Sequence, residues 1–202
     1  MRIALARGLS LRDWQQQDVP LWRGWMQPGH AWKRLDGPYY PLPDAASLAA
    51  SEARLAQRIA MGAWPSVRER MVIADAGDRF IGEVSRYWQS EETHWLSVGL
   101  VLYDPAHWGH GLGQIALQGW CNYLFAAMPM LARLDLRTWS GNEGMMRLAT
   151  KVGFVEEARF RRARVVDGQY YDGMAYGVLR EEWMQRYPDG GVMAQTDRAV
   201  AA

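Results

Sequence analysis

The sequence predicts an α/β fold on a mixed, mostly antiparallel sheet, and three observations carry that prediction. Strand-like runs come as hairpins, one in mid-chain and one near the end. Between them, "HWGHGLGQIALQGW" (His107 to Trp120) is a glycine-rich turn that opens a helix. Leu112, Ile115, Ala116, Trp120, Tyr123 and Leu124 recur there at helical spacing. A strand over Val98–Tyr103 precedes this helix and another over Arg133–Trp139 follows it. The centre of the chain is therefore one βαβ crossover flanked by antiparallel pairs.

The elements follow in order. "IALARGLSLRDW" reads as a first strand and "QQQDVPLWRGWMQ" as a short helix. "PGHAWKRLDGPYYPLP" is a loop punctuated by Pro and Gly. "DAASLAASEARLAQRIAMGAW" begins with Asp44, a helix-capping residue type, and is rich in Ala and Leu. "RMVIADA" and "RFIGEVSRYWQ" form a hairpin through a turn at Ala76–Asp78, and "HWLSVGLVLY" continues the sheet. After the crossover, "NEGMMRLATKV" is a second helix with Met145, Leu148, Ala149 and Val152 on one face. "FRRARVVDGQYYDGMAYGVL" closes as a hairpin around Asp167–Gly168, a two-residue turn of the primed type. No repeat and no Pro- or Ser-rich linker interrupts this series. Residues 1–187 accordingly read as one domain, and 188–202 as a mobile tail.

Composition narrows the function classes. The 202 residues are 49% hydrophobic and 22% charged, which suits a folded core. A formal net charge of +1 provides no global field for nucleic acid or an anionic membrane, so any anionic ligand must be recognised locally. The N-terminus lacks signal-peptide anatomy and no apolar run reaches the ~18 residues of a membrane span, which points to the cytoplasm. The single cysteine, Cys121, falls within the helical pattern and reads as a packed thiol. The 11 tryptophans admit two readings, core packing or the wall of a ligand pocket or dimer surface.

Three anion-binding patterns compete for the glycine turn. A dinucleotide fingerprint, G-x-G-x-x-G, would put its third glycine at Gln114, but the glycine comes one residue early at Gly113. A Walker A loop with its second glycine at Gly113 would need Lys where Gln114 stands. Both fail. "Trp108-Gly-His-Gly-Leu-Gly" instead resembles the pyrophosphate motif of the GNAT superfamily of N-acetyltransferases, in the W-G-x-G form of its Rim-type branch, the ribosomal-protein N-terminal acetyltransferases. Two further motifs agree. "NEGMMRLATKVGF" is similar to the superfamily's N-x-x-[AS]-x-x-[LV]-[YE]-x-x-x-G-F, with Asn142, Leu148, Gly153 and Phe154 on register. "DGQYYDGMAYGVLREEW" (Asp167 to Trp183) resembles the branch's closing hairpin, so the likeness runs from about Arg79 to Trp183.

The resemblance implies a sheet of six or seven strands whose central pair splays around acetyl-CoA, with acetyl passing directly to a primary amine. Trp108, Gly109, His110, Gly111, Leu112, Gly113 and Gln114 would hold the cofactor's diphosphate end, the backbone of Gly99, Leu100, Val101 and Leu102 its pantetheine, and Asn142 would also bind the cofactor. The familiar acid and base are missing: the Tyr slot holds Ala149, the Ser slot Met145, and the central-strand carboxylate slot Ser97. Glu83, His94 and Ser97 remain as catalytic candidates, with Glu91, Glu92 and Tyr103 nearby. Without a strong base, an α-amine needs about 2.5 pK units less help than a lysine, roughly 3.4 kcal/mol, so a protein N-terminus or a low-pKa small amine is the expected acceptor. Trp32, Tyr39 and Tyr40 would line its site. His107 and His110 have H-x-x-H spacing, but nothing nearby completes a ligand set, and no metal is expected. The resemblance also allows a homodimer through the closing hairpin, which no residue here requires. A non-catalytic acyl-CoA sensor or scaffold of the same fold is the alternative.

Overall fold

The structure, a computed structural model, describes residues 1–188. Of the tail expected over 188–202, all but Pro188 lies outside the described residues. In chain order the elements are β1 (Arg2–Ala4), β2 (Ser10–Arg12), α1 (Asp18–Trp25), α2 (Ala45–Met61), β3 (Arg70–Ala74), β4 (Phe80–Ser90) and β5 (Trp95–Leu102). There follow α3 (Leu112–Ala127), β6 (Arg133–Trp139), α4 (Glu143–Val152), β7 (Val155–Val166), β8 (Gln169–Leu179) and α5 (Arg180–Arg186). The strands form one sheet in the order β1-β2-β3-β4-β5-β6-β8-β7. Every neighbouring pair is antiparallel except β5 and β6, which the α3 crossover makes parallel.

Local chemistry explains most of the boundaries. The Asp44 carboxylate accepts from the Ser47 N–H at 2.7 Å and starts α2, and Gly62, left-handed at φ 59°, stops it. Asp167 (φ 49°) and Gly168 (φ 74°) make the primed turn between β7 and β8. Two elements differ from expectation. The first predicted strand is a small hairpin, β1 and β2, because Arg7 (φ 59°) and Gly8 (φ 74°) reverse the chain between them. This raises the strand count from the expected six or seven to eight among the described residues. The short α5 carries no long apolar period. Glu182 caps it by accepting from the Leu179 N–H at 2.9 Å, and the Trp183 indole donates to Asn122 of α3 at 2.7 Å.

Helices α3 and α4 cover one face of the sheet, over Leu11, Ile73, Val84, Leu96, Val98 and Leu136. Helix α1 and the loop after it cover the other, where Trp14, Trp22 and Trp32 meet Val72, Phe80 and Tyr103. A fully buried indole such as Trp120 removes roughly 200 Å² from water, worth about 5 kcal/mol before entropy. Trp14, Trp22, Trp32, Trp120 and Trp183 are core residues in this sense. Cys121 is fully buried, and desolvation pushes its thiol pKa up, which makes it a packed and unreactive group.

One departure from regular pairing positions the site. Strands β5 and β6 pair only at Trp95–Arg133, Leu96–Leu134 and Ser97–Asp135. Beyond that rung β5 stays on β4 as far as Leu102, and β6 stays on β8 as far as Trp139. Each central strand follows its outer neighbour, and the two inner edges part.

Candidate active site

The parting opens a cleft of about 830 Å³ with walls drawn from both faces of the sheet. Along β5 its wall is Val98 to Leu102, whose edge toward β6 meets no strand. Along β6 it is Leu136 to Trp139. The glycine turn and the start of α3 close one mouth, and aromatic side chains from four separate segments close the other.

At the first mouth, the Trp108 indole donates to the Leu102 carbonyl at 2.8 Å and so fixes the turn to the end of β5. This explains why Trp serves at that position: a flat donor bridges the turn and the strand. Gly109 (φ 76°) and Gly111 (φ 77°) are left-handed, where a side chain costs roughly 1–2 kcal/mol. No side chain caps α3, and the first N–H turned back into the protein is that of Ile115, to Gly111 O at 3.3 Å. Among the described residues the N–H groups of Leu112, Gly113 and Gln114 have no partner, and they stand at the positive end of the helix dipole. Lys151 of α4 lines the same region. This donor set fits a diphosphate.

Trp108, Gly109, Gly111, Leu112, Gly113, Gln114, Asn142 and Gly99 to Leu102 all line the cleft. His110 does not. It is exposed, and its carbonyl accepts from the Arg7 guanidinium at 2.6 Å, which ties the β1–β2 hairpin to the turn. His107 is the histidine on the cleft wall, and its Nδ1 is buried without a hydrogen-bond partner among the described residues. Asn142 caps α4 through its Oδ1, which accepts from Met145 N–H at 3.0 Å, and its amide donates to Leu35 O at 3.2 Å. The Trp139 indole donates to the same Leu35 carbonyl at 2.8 Å. Asn142 thus docks the α1–α2 loop onto the end of β6.

That loop builds the second mouth. Trp32, Tyr39 and Tyr40 line it together with Tyr87, Trp139 and Phe160. Tyr39 packs edge-on against Tyr40 (4.8 Å) and Trp139 (6.3 Å), and Trp139 packs edge-on against Tyr171 (4.8 Å). Gly141 has no alternative here, since a Cβ would sit 1.9 Å from the Trp139 ring folded back over it.

The catalytic candidates fare differently from the binding residues. His94 sits in the exposed turn between β4 and β5, with φ 55°, at the end of β5 opposite the glycine turn. Glu91 and Glu92 share that turn, so the structure does not bring this group to the cleft. Glu83 points toward the α1 layer, paired to Arg70, and is absent from the cleft wall. Tyr103 is enclosed by Trp25, Trp32 and Phe80, and burial followed by the nearby Glu83 charge raises its pKa well above the usual phenol value. Ser97 is fully buried just below the point of parting. Its hydroxyl donates to Asp135 at 2.7 Å and accepts from Gln89 at 3.0 Å, while Arg137 lies 3.6 Å from the other Asp135 oxygen. The carboxylate missing at the Ser97 slot is thus present on the neighbouring strand, one rung across. Ala149 is buried and Met145 lines the cleft, so neither familiar α4 slot carries a proton donor.

Residues 8–155 match the family of acetyltransferase (GNAT) domains. This chain belongs to the GNAT acetyltransferase family. An N-acetyltransferase of Bacillus subtilis, YokL, derived from the SPbeta prophage, is 22% identical over 114 residues; the match spans 56% of this chain and 63% of that relative. An acetyltransferase of Bacillus anthracis has the same fold at 17% identity, with a TM-score of 0.69 over 90% of this chain and 99% of that one. A spermidine N-acetyltransferase of Vibrio cholerae, solved with CoA and spermine, superposes with a TM-score of 0.70 at 19% identity, covering 88% of this chain and 98% of that one. RimL, a ribosomal α-N-protein acetyltransferase solved with coenzyme A, gives 0.66 at 18% identity, covering 89% and 98%.

Within this GNAT chain, sequence reasoning missed Asp135, Arg137 and Arg164. A signal existed for the first two. "RLDLRTW" alternates Arg133, Asp135 and Arg137 on one face of a strand whose other face carries Leu134, Leu136 and Thr138, and charge at that period in a central strand calls for a partner. Arg164 had none, because only the fold brings β7 to the α1–α2 loop. Among the described residues no group of three His, Cys, Asp or Glu is arranged to hold a metal, and no helix is long and apolar enough to cross a membrane.

Proposed function

We propose that this protein is an acetyl-CoA-dependent N-acetyltransferase whose acceptor is a primary amine, either a protein N-terminus or a small molecule. The observation that carries this reading is the cleft at the β5–β6 parting, with unpaired N–H donors at one mouth and an aromatic enclosure at the other. When bound, acetyl-CoA supplies a thioester carbonyl for direct attack by the amine, yielding an amide and a free thiol.

The N–H groups of Leu112, Gly113 and Gln114 would hold the diphosphate, with Lys151 and His107 beside them. The open edge of β5 would pair with the pantetheine as an added strand does, and a backbone N–H there can stabilise charge developing on the carbonyl oxygen. The aromatic side chains would exclude water and orient the amine. With the α4 slots apolar, proton transfer falls to water at the cleft mouth.

Thermal unfolding with and without excess acetyl-CoA tests the reading, with NAD as the comparison. Ligand at about 100 times its dissociation constant adds about 2.7 kcal/mol and moves the midpoint by several degrees. A shift with acetyl-CoA and none with NAD is expected; no shift with either overturns the reading. The second reading, a non-catalytic acyl-CoA sensor, is favoured by Ala149 and Met145 in the acid slots. It predicts the same shift with no turnover of any amine.

A further inference from the structure

The aromatic mouth is charged, and its charge is one-sided. On that side Lys33, Arg137 and Arg164 line the cleft, against one carboxylate, Asp36. None of the three cations is neutralised by Asp36: the Lys33 ammonium donates to the Asp36 main-chain carbonyl at 3.0 Å, and Arg137 leans toward Asp135. Arg164 stands out most. Its guanidinium lies 4.7 Å over the Tyr39 ring and donates to the Ala163 carbonyl, yet it forms no ion pair among the described residues. Its Nε is buried with no hydrogen-bond partner among the described residues. A half-buried guanidinium that lies over an aromatic ring and lines the cleft with no ion pair among the described residues matches a carboxylate in shape and charge.

We propose that Arg164 reads a carboxylate on the acceptor, so that the substrate is an amine carrying an acidic group and not a polycation. This deepens the acetyltransferase reading and rests on it. The same field has a second effect. An amine entering beside Lys33 and Arg164, neither of which pairs with a carboxylate side chain among the described residues, is disfavoured in its ammonium form, so its pKa falls and its neutral, nucleophilic fraction grows. The mouth then supplies part of what a carboxylate at the Ser97 slot would otherwise provide. A polyamine meets the opposite situation, with every extra ammonium group repelled.

The test compares matched acceptors on the wild type, Arg164→Gln and Arg164→Lys. One acceptor is a short C-terminally amidated peptide with Glu after its free N-terminal residue, and its partner has Gln there. A small aminocarboxylate and spermidine complete the set. Acetyl-CoA binding is measured in parallel. The wild type is expected to favour the Glu peptide or the aminocarboxylate at least tenfold in kcat/KM over the Gln peptide, with spermidine poorest. Which of the two leads identifies the source of the carboxylate. Arg164→Gln should lose that preference, leave acetyl-CoA affinity unchanged and move the acid limb of kcat to higher pH; Arg164→Lys should restore part of each. Equal loss on the Glu and Gln peptides, or a wild type that prefers spermidine, overturns the inference while the acetyltransferase reading stands. Failure to bind acetyl-CoA overturns both.

Discussion

The two mouths of the cleft are built on different principles. The glycine-turn side is made of backbone: left-handed Gly109 and Gly111, three unpaired N–H groups at the start of α3, and the open edge of β5. The aromatic side is made of side chains from the α1–α2 loop, β4, β6 and β7. A backbone site needs a few residues in a fixed local order, because only certain residues allow the required dihedrals. A side-chain site can be assembled from any positions the fold brings together. One mouth is therefore set by short-range sequence and the other by tertiary structure.

The largest expected effect breaks the backbone side. Gly111→Val forces a β-branched residue to φ 77° at the residue before α3 and displaces the N–H cradle. Losing one or two charge-assisted hydrogen bonds, each about 1.5–3 kcal/mol, should weaken acetyl-CoA binding by roughly 10- to 20,000-fold. Calorimetric titration measures this directly. An affinity within twofold of the wild type would mean that the diphosphate is held elsewhere.

A smaller effect is expected at the aromatic mouth. Tyr39→Leu keeps an apolar group but removes the ring that meets Tyr40, Trp139 and Arg164. The acceptor KM should rise about twofold to tenfold, since an aromatic contact is worth about 0.5–1.5 kcal/mol. Acetyl-CoA affinity should not change. If both constants move together, the two mouths are not separable and the contrast fails.

Asn142 lies on the boundary and sharpens the contrast. It was expected among the cofactor-binding residues, and it does line the cleft, but both of its polar atoms already have protein partners. Asn142→Ala removes the α4 cap, at a cost of about 1 kcal/mol. Because the tie to Leu35 goes with it, acceptor KM should rise about twofold to threefold more than acetyl-CoA affinity falls. Steady-state kinetics with each substrate varied in turn separates the two.

Legibility in the sequence follows the same division. The α3 and α4 helices, the closing hairpin and the glycine turn were readable because each depends on residues within a dozen positions of one another. The reversal at Arg7–Gly8 was hidden inside an apolar run that also suits a single strand, and α5 was too short to show a period. Glu83 and His94 were reasonable as chemistry and misplaced as geometry. Strand alternation sends Glu83 toward Arg70, and His94 belongs to a turn at the wrong end of β5. Asp135 reaches Ser97 across 38 positions and Arg164 reaches Tyr39 across more than a hundred, and no local pattern encodes either pairing.

The smallest effect concerns acid. The layer under the aromatic mouth is tied down by carboxylates: Arg12 holds Asp18 at the start of α1 and Asp78 in the β3–β4 turn, and Arg68 holds Asp13. Burial alone would raise the Asp13 pKa, but hydrogen bonds from Arg68 and the N-terminal ammonium outweigh it and hold it below the ordinary carboxylate value. Asp78 is held low chiefly by its hydrogen bond from Arg2, with Arg12 adding to it against the opposing effect of burial. Groups depressed on folding contribute stability that is complete above their unfolded pKa, near 3.9, and that is lost as pH falls through the lower folded value. Helix α3 has no Asp or Glu in its sixteen residues and has no such loss of its own. Below about pH 4, hydrogen exchange should therefore accelerate in α1 and β2 before it does in α3. Asp13→Asn should shrink that difference by less than about 1 kcal/mol, as befits one partly exposed pair. Simultaneous acid loosening of α1 and α3 would show instead that the two sides of the sheet unfold as one unit, and that their difference in construction ends at the cleft.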